Sequence, residues 1–287
     1  MIKILVTGSN GQVGSEIKKI AKKRSEVKWL FTDRNSLDLS KIDLTVRFLD
    51  SAKPSIIINC AAYTNVDKAE SEPKLANLIN VKAVDSLSKW SYSNNVKLFH
   101  ISTDYVFDGN SSIPLKEDAI TTPLNVYGLT KLEGEKVCLK NDPNCIVIRT
   151  SWVFSSFGKN FVKTIFNQMS KKDSLNIIND QVGSPTYAND LANVIIKIID
   201  HKYWIPGLYH YSNEGEVSWY EFAKSIKKYF GFTTKLISIS SDDYLSVAKR
   251  PKYSLLDKSK IKTTFNINVP NYENSLEKCI TILKNEK

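Results

Sequence analysis

The chain has 287 residues, 42% hydrophobic and 24% charged, which suits a globular protein with one large or two modest cores and excludes a disordered one. Forty basic residues against thirty acidic ones leave a formal charge of +10, but five of the forty are arginine and the lysines are scattered through "KKIAKKR", "MSKKD" and "SIKKYF". Base-reading surfaces gather arginine forks on one face, so no nucleic-acid partner is expected, and the lysines read as a solvated surface that attracts anionic metabolites.

The first segment, "MIKILVTG", enters a strand pattern at once. No signal peptide is read before it, and no apolar run reaches about 18 residues, so a cytoplasmic protein without a membrane partner is expected. Gly8, Gly11 and Gly14 follow at three-residue intervals. Glycine there permits a tight turn and lets the backbone approach a pyrophosphate that a helix N-terminus attracts. The spacing is GxxGxxG rather than GxGxxG, so position in the chain carries the argument. Val13, Ile17, Ile20 and Ala21 recur at helical spacing directly after the glycines.

The second strand, "VKWLFTD", ends at Asp33, about twenty residues past the last glycine, where an acid accepts from an adenosine ribose hydroxyl. A strand-ending turn residue is the bland reading. Arg34 follows and suits a 2′-phosphate, which leaves the choice between NADH and NADPH open. Asp38 and Leu39 in "SLDLS" either edge an adenine pocket or begin the next helix. "SIIINCAA", "VKLFHIST" and "CIVIRTSW" supply three more strands, with helical patterns over 74–93 and 124–140 between them. Beyond 150 the rhythm loosens. "FVKTIFNQMSK", "ANDLANVIIKIIDH" and "SWYEFAKSIKKYF" read as helices, the last with Ser218 as N-cap, while "LNIIND", "GLYHYS" and "KLISIS" read as strands.

Short apolar strands alternating with helices predict an α/β fold, a Rossmann-type doubly wound parallel sheet with a smaller C-terminal substrate-binding lobe. The expected division gives residues 1–150 to an NAD(P)-binding domain, rejoined by about 187–212, and residues 151–186 and 213–287 to the smaller lobe. Cys60, Cys138, Cys145 and Cys279 form no CxxC and have no histidine at metal-ligand spacing, which suits a reducing compartment.

The stretch "NVYGLTKLEGEK" sets Tyr127 and Lys131 four apart on one helical face, and Gly128 and Gly134 each cost such a helix about 1 kcal/mol relative to alanine. Ketone reduction by a nicotinamide needs a proton at oxygen as hydride reaches carbon. A tyrosine of pKa about 10 holds that proton at neutral pH, and a neighbouring ammonium is expected to stabilise the phenolate and bring its pKa toward the working pH. Ser102 and Thr103 close the fourth strand at its C-terminal end, where open α/β sheets bind their ligands. The glycines are expected to let the helix approach a strand, a helix or the cofactor.

The glycine spacing, "STD" and YxxxK resemble the extended short-chain dehydrogenase/reductases. Within them "INCAAYTNVDKAESEP", "ISTDYVFDG", "IRTSWVF", "NDQVGSPT" and "AKRPKYSLL" resemble the dTDP-4-dehydrorhamnose reductase family, in order over nearly the whole chain. The resemblance implies NAD(P)H-dependent reduction of the 4-keto group of dTDP-4-dehydro-L-rhamnose. It implies Tyr127 as general acid, Lys131 as electrostatic partner and ribose ligand, and Thr103 as the hydroxyl orienting the carbonyl. Gly11, Gln12 and Val13 would line the pyrophosphate, Asp33, Asp38 and Leu39 the adenosine, and Ala62, Tyr63 and Thr64 the middle of the cofactor. Thr103, Asp104 and Trp152 would touch the dTDP-sugar, with a packed core residue as the other reading of Trp152. Arg250 would hold the diphosphate unless it is a surface arginine. Family members include dimers that hold Mg2+ between subunits. Glu16 matches one ligand position but Asn189 stands where an acid belongs, so no metal is expected, in a monomer or homodimer. Two alternatives are an NAD-retaining epimerase or dehydratase, and a binding subunit resembling the regulatory subunit of methionine adenosyltransferase.

Overall fold

A computed structural model of the chain describes residues 1–285. Strands and helices alternate through β1 (Ile2–Thr7), α1 (Gln12–Ala21), β2 (Val27–Phe31), α2 (Ile42–Ala52) and β3 (Ile56–Asn59). Next come α3 (Val66–Ser71), α4 (Pro73–Asn77), a π-helical turn (Leu78–Lys82), α5 (Ala83–Ser93) and β4 (Lys97–Thr103). A 3-10 turn (Asp104–Val106) leads toward α6 (Val126–Asn141) and β5 (Ile146–Thr150). The remainder holds β6 (Val153–Phe154), α7 (Phe161–Met169), β7 (Ser174–Ile178), β8 (Val182–Gly183), β9 (Thr186–Tyr187) and α8 (Ala188–Ile199). It ends with β10 (Gly207–His210), β11 (Val217–Ser218), α9 (Trp219–Phe230), β12 (Lys235–Ile239), α10 (Ser259–Phe265) and α11 (Tyr272–Asn285).

The central sheet has six parallel strands in the order β10-β5-β4-β3-β1-β2. Strand side chains alternate between faces, and the two faces bury different partners. Ile4, Val6, Ile58, Phe99 and Ile148 pack with Ile17, Leu191, Ile195 and Phe265 of α1, α8 and α10. Leu5, Ile57, Leu98 and Val147 pack with Leu49, Val84, Leu87 and Cys138 of α2, α5 and α6. Burial on both faces is why β3 reads as an unbroken isoleucine run. A third core forms the smaller lobe, where Phe154, Val162, Ile165, Phe222, Ile226 and Leu276 meet. Ser218 caps α9 by accepting from the Glu221 amide at 3.1 Å.

The two glycines of α6 have a steric cause. A Cβ at Gly128 would lie 2.2 Å from the Tyr105 carbonyl oxygen, and one at Gly134 would lie 2.1 Å from the Asn80 carbonyl oxygen. The helix therefore presses backbone to backbone against the 3-10 turn after β4 and against the π-helical turn. Replacing Gly134 by alanine is expected to destabilise the fold by about 1–3 kcal/mol through overpacking, although alanine favours an open helix by about 1 kcal/mol. Urea unfolding of both proteins tests this, and an unchanged or higher midpoint for Gly134→Ala would contradict the contact.

Candidate active site

A groove of about 690 Å³ runs along the C-terminal ends of the sheet strands, from Asp33 past the glycine loop to Trp152. Gly8 makes the turn in the left-handed region, at φ 61°, where a Cβ would strike Ala61. The Gly11 amide donates to the Gly8 carbonyl at 2.9 Å, and Gly11 then caps α1 without any side-chain bond. The first-turn amides of Gln12, Val13 and Gly14 thus have no intrahelical or capping partner, which suits an anion such as a pyrophosphate. All five of these loop residues, Gly8 included, line the groove.

The adenosine end is organised by the same kind of local bonding. Asp33 accepts from the Ser36 amide at 3.0 Å, the Asn35 amide at 3.1 Å and Asn10 at 2.5 Å. The Ser36 amide and hydroxyl in particular hold its carboxyl below the usual range. Asp38, held low chiefly by the Ser40 hydroxyl, lines the groove with Leu39 and Arg34. Ala62 and Thr64 line its middle, but Tyr63 does not. Asn80 of the π-helical turn grips the Tyr63 backbone, accepting from its amide at 2.8 Å and donating to its carbonyl at 3.1 Å, while the Tyr63 phenol donates to Glu72 at 2.7 Å. The loop thus directs that side chain toward α4 rather than into the groove.

Thr103, Tyr127 and Lys131 all line the groove, and the Tyr127 phenol bonds to the Thr103 hydroxyl. Asn125 caps α6, accepting from the Gly128 amide at 2.8 Å, and so fixes where the helix begins and where Tyr127 stands. Burial pushes the Tyr127 phenol up to about 12, with the Thr103 hydroxyl pulling it down and Asp104 pushing it further up. Lys131 is not among these causes, and its amine bonds to the sheet. It donates to the Ile101 carbonyl at 2.6 Å and stands 3.4 Å from His100 Nε2. Burial draws Lys131 itself down to about 8, and Glu135, one more turn along the helix, opposes that shift. Asp104 is pushed up to about 6 by burial, while accepting from Ser254 at 2.6 Å and from Thr103 at 3.1 Å.

Trp152 is half-buried. It lines the groove, yet its ring stacks on Trp219 with centroids 3.5 Å apart, and its φ of 47° marks an enforced backbone. Arg250 is not among the lining residues. Its guanidinium donates to Asp67 at 2.7 Å and to the Ala248 carbonyl at 3.1 Å. Glu16 is buried and accepts from Ser155 at 2.6 Å and Asn189 at 3.0 Å. Among the described residues no group of three or more His, Cys, Asp or Glu side chains is arranged to hold a metal. Asn10, Ala61, Tyr105, Gly158 and Lys159 also line the groove without having been singled out in the sequence. The loop carrying Gly158 and Lys159 grips Gln12 through Asn160, which donates to it at 3.0 Å. Its only signal is a Gly-Lys-Asn cluster shortly after a strand.

The family model described as "RmlD substrate binding domain" matches residues 2–285. A dTDP-4-dehydrorhamnose reductase from Aggregatibacter actinomycetemcomitans is 39% identical over 96% of this chain and 98% of its own length. The chain belongs to the dTDP-4-dehydrorhamnose reductase family. Within that family, the Clostridium acetobutylicum reductase structure superposes with a TM-score of 0.94 at 38% identity, covering 99% of this chain and all of the other. The Bacillus anthracis reductase, solved in complex with NADP, superposes at 0.93 with 34% identity, covering 98% and 99% of the two chains. The fold of this family member is the Rossmann-like α/β arrangement of those reductases, and the family is one of oxidoreductases.

The buried Asp104 carries a testable pH signature. Its folded value of about 6 lies above the ordinary 3.8, so the folded protein binds that proton more tightly than the unfolded chain. The resulting stabilisation is present in acid and is lost as pH rises toward about 6. The stability of Asp104→Asn relative to the parent is therefore expected to climb by up to about 3 kcal/mol between pH 4 and 6 and then level off. Denaturant unfolding across that range measures it, and a flat difference would mean that Asp104 ionises normally.

Proposed function

We propose that the chain reduces the 4-keto group of dTDP-4-dehydro-L-rhamnose to dTDP-L-rhamnose, with NADPH or NADH as reductant. Bound along the glycine loop, the reduced nicotinamide supplies the hydride. Tyr127 donates its proton to the keto oxygen, Thr103 orients that oxygen, and the Lys131 ammonium stabilises the phenolate left behind. Asp104 and Trp152 face the sugar, and residues 151–186 with 213–287 supply the lobe that receives the nucleotide. The observation that carries this reading is the convergence of Thr103, Tyr127 and Lys131 on the same groove as the uncapped N-terminus of α1. Burial of the phenol supports the role of donor, since it holds the proton firmly at neutral pH.

With dTDP-4-dehydrorhamnose and either reduced cofactor, steady loss of nicotinamide absorbance is expected. An enzyme that recycles its own NAD+ would consume none. Tyr127→Phe should lower kcat by about 10²–10⁴-fold while cofactor affinity stays near the parent value; turnover at the parent rate would remove Tyr127 from the role of acid. The alkaline side of the profile follows from Lys131. A lysine whose folded value is lowered to about 8 loses its charge above that pH, so kcat is expected to fall as pH rises through about 8. A profile flat to pH 9.5 would separate Lys131 from the chemistry.

A further inference from the structure

Thr7, Asn59 and His100 form a polar row across the apolar sheet. Thr7 pairs in register with Asn59, and Asn59 with His100, so the three side chains leave β1, β3 and β4 toward the face covered by α5 and α6. All three are buried, and His100 is wholly inaccessible. Thr7 Oγ1 lies 2.6 Å from Asn59 Oδ1, Asn59 Nδ2 lies 3.1 Å from His100 Nδ1, and His100 Nε2 lies 3.4 Å from Lys131 Nζ. Polar groups so buried are costly unless each is bonded. The row leads to the amine of Lys131.

We propose that His100 is a positioning residue for Lys131: its neutral ring accepts an ammonium N–H at Nε2, while Asn59 holds the ring proton on Nδ1. This rests on Lys131 working as an ammonium, as in the proposed function. An ammonium has donors only, so the ring nitrogen facing it must be the acceptor, and a neutral ring then carries its proton on the other nitrogen. That proton needs an acceptor, which is the Asn59 carbonyl oxygen. The two ends of an asparagine amide are alike in shape, so bonding decides between them. Turned this way, the Asn59 amide nitrogen meets Thr7 Oγ1, a hydroxyl that accepts as readily as it donates. With Ile101 and His100 taking two N–H groups, the third is left for the groove.

The charges around Lys131 agree with a neutral ring. Burial first, then the lysine, hold His100 well below its ordinary value. From α6 itself Glu135 and Cys138 act on the amine, Tyr127 shares its groove, and Glu135 is paired at 2.8 Å with Arg149 of β5. From β4 the titratable neighbour is His100, and from the 3-10 turn Asp104 shares the groove.

Two measurements test the proposal. Ring-nitrogen NMR on protein labelled with 15N-histidine has three residues to resolve, and the His100 signals are those lost in His100→Gln. At pH 7 the expected spectrum has a protonated Nδ1 and a pyridine-type Nε2; a proton on Nε2, or an imidazolium, overturns the proposal. The second measurement is kcat against pH for His100→Leu and His100→Gln, with thermal melts to establish folding. Leucine removes an acceptor of the charged amine, so the alkaline limb should move down by about one unit, while glutamine, which keeps an acceptor, should restore most of that shift. Equal limbs in all three proteins overturn the proposal even if kcat falls. If the parent protein fails to oxidise NAD(P)H with the sugar nucleotide, the functional reading falls instead, and the spectrum alone decides the tautomer.

Discussion

The ammonium of Lys131 is buried against the Ile101 carbonyl, and much of the surrounding structure follows from making that burial tolerable. The helix that carries it lies close to its neighbours. Closeness is why α6 carries glycine where the Tyr105 and Asn80 carbonyls touch it. The preceding helix also opens into a π-helical turn here. That turn brings Asn80 between the Tyr63 backbone and Thr130 of α6, bonding both at 3.1 Å. Helical irregularities of this kind gather at functional sites because they re-aim single residues.

The same helix ties the site to the smaller lobe. Asn125 caps α6 with its carbonyl oxygen and uses its amide to donate to the Lys249 carbonyl at 2.7 Å. Asp104, next to Thr103, takes the hydroxyl of Ser254, which lies 150 positions later in the chain. Arg250 crosses to Asp67 of α3. The last of these is partly solvated and contributes at most about 1 kcal/mol. The first two are shielded, and they join the 249–254 segment to the start of α6 and to the carboxylate beside Thr103.

How much of this the sequence reveals depends on whether a feature is local. The five strands of the first half, the helix of Tyr127 and Lys131, and the Ser218 cap are set by spacing within a few residues, and each is legible. The acid expected at the end of the second strand, Asp33, stands two residues beyond it. Tyr63 is a contrary case. Its neighbours Ala62 and Thr64 line the groove, but its own direction is decided by Asn80 and Glu72, which spacing does not reveal. Arg250 is decided by Asp67 in the same way. The row of Thr7, Asn59 and His100 is a property of register among three strands, so each residue alone reads as a stray polar group in an apolar run. The pKa of Tyr127 was expected to fall and instead rises, because burial outweighs the other influences on the phenol.

Burial acts on Tyr127 and Lys131 with one physical sign, since desolvation favours whichever form is uncharged. It raises the phenol to about 12 and lowers the ammonium to about 8. Left to burial alone, both groups would approach neutrality. The polar partners are divided unequally between the two. Lys131 has the Ile101 carbonyl, the His100 ring and the Glu135 carboxylate, all of which favour its charged form when the ring is neutral. Tyr127 has the Thr103 hydroxyl favouring phenolate, against Asp104, which opposes it, and the edge of the Tyr105 ring. That inequality, and not the i, i+4 spacing by itself, favours the charge on the lysine, while burial keeps the proton on the tyrosine.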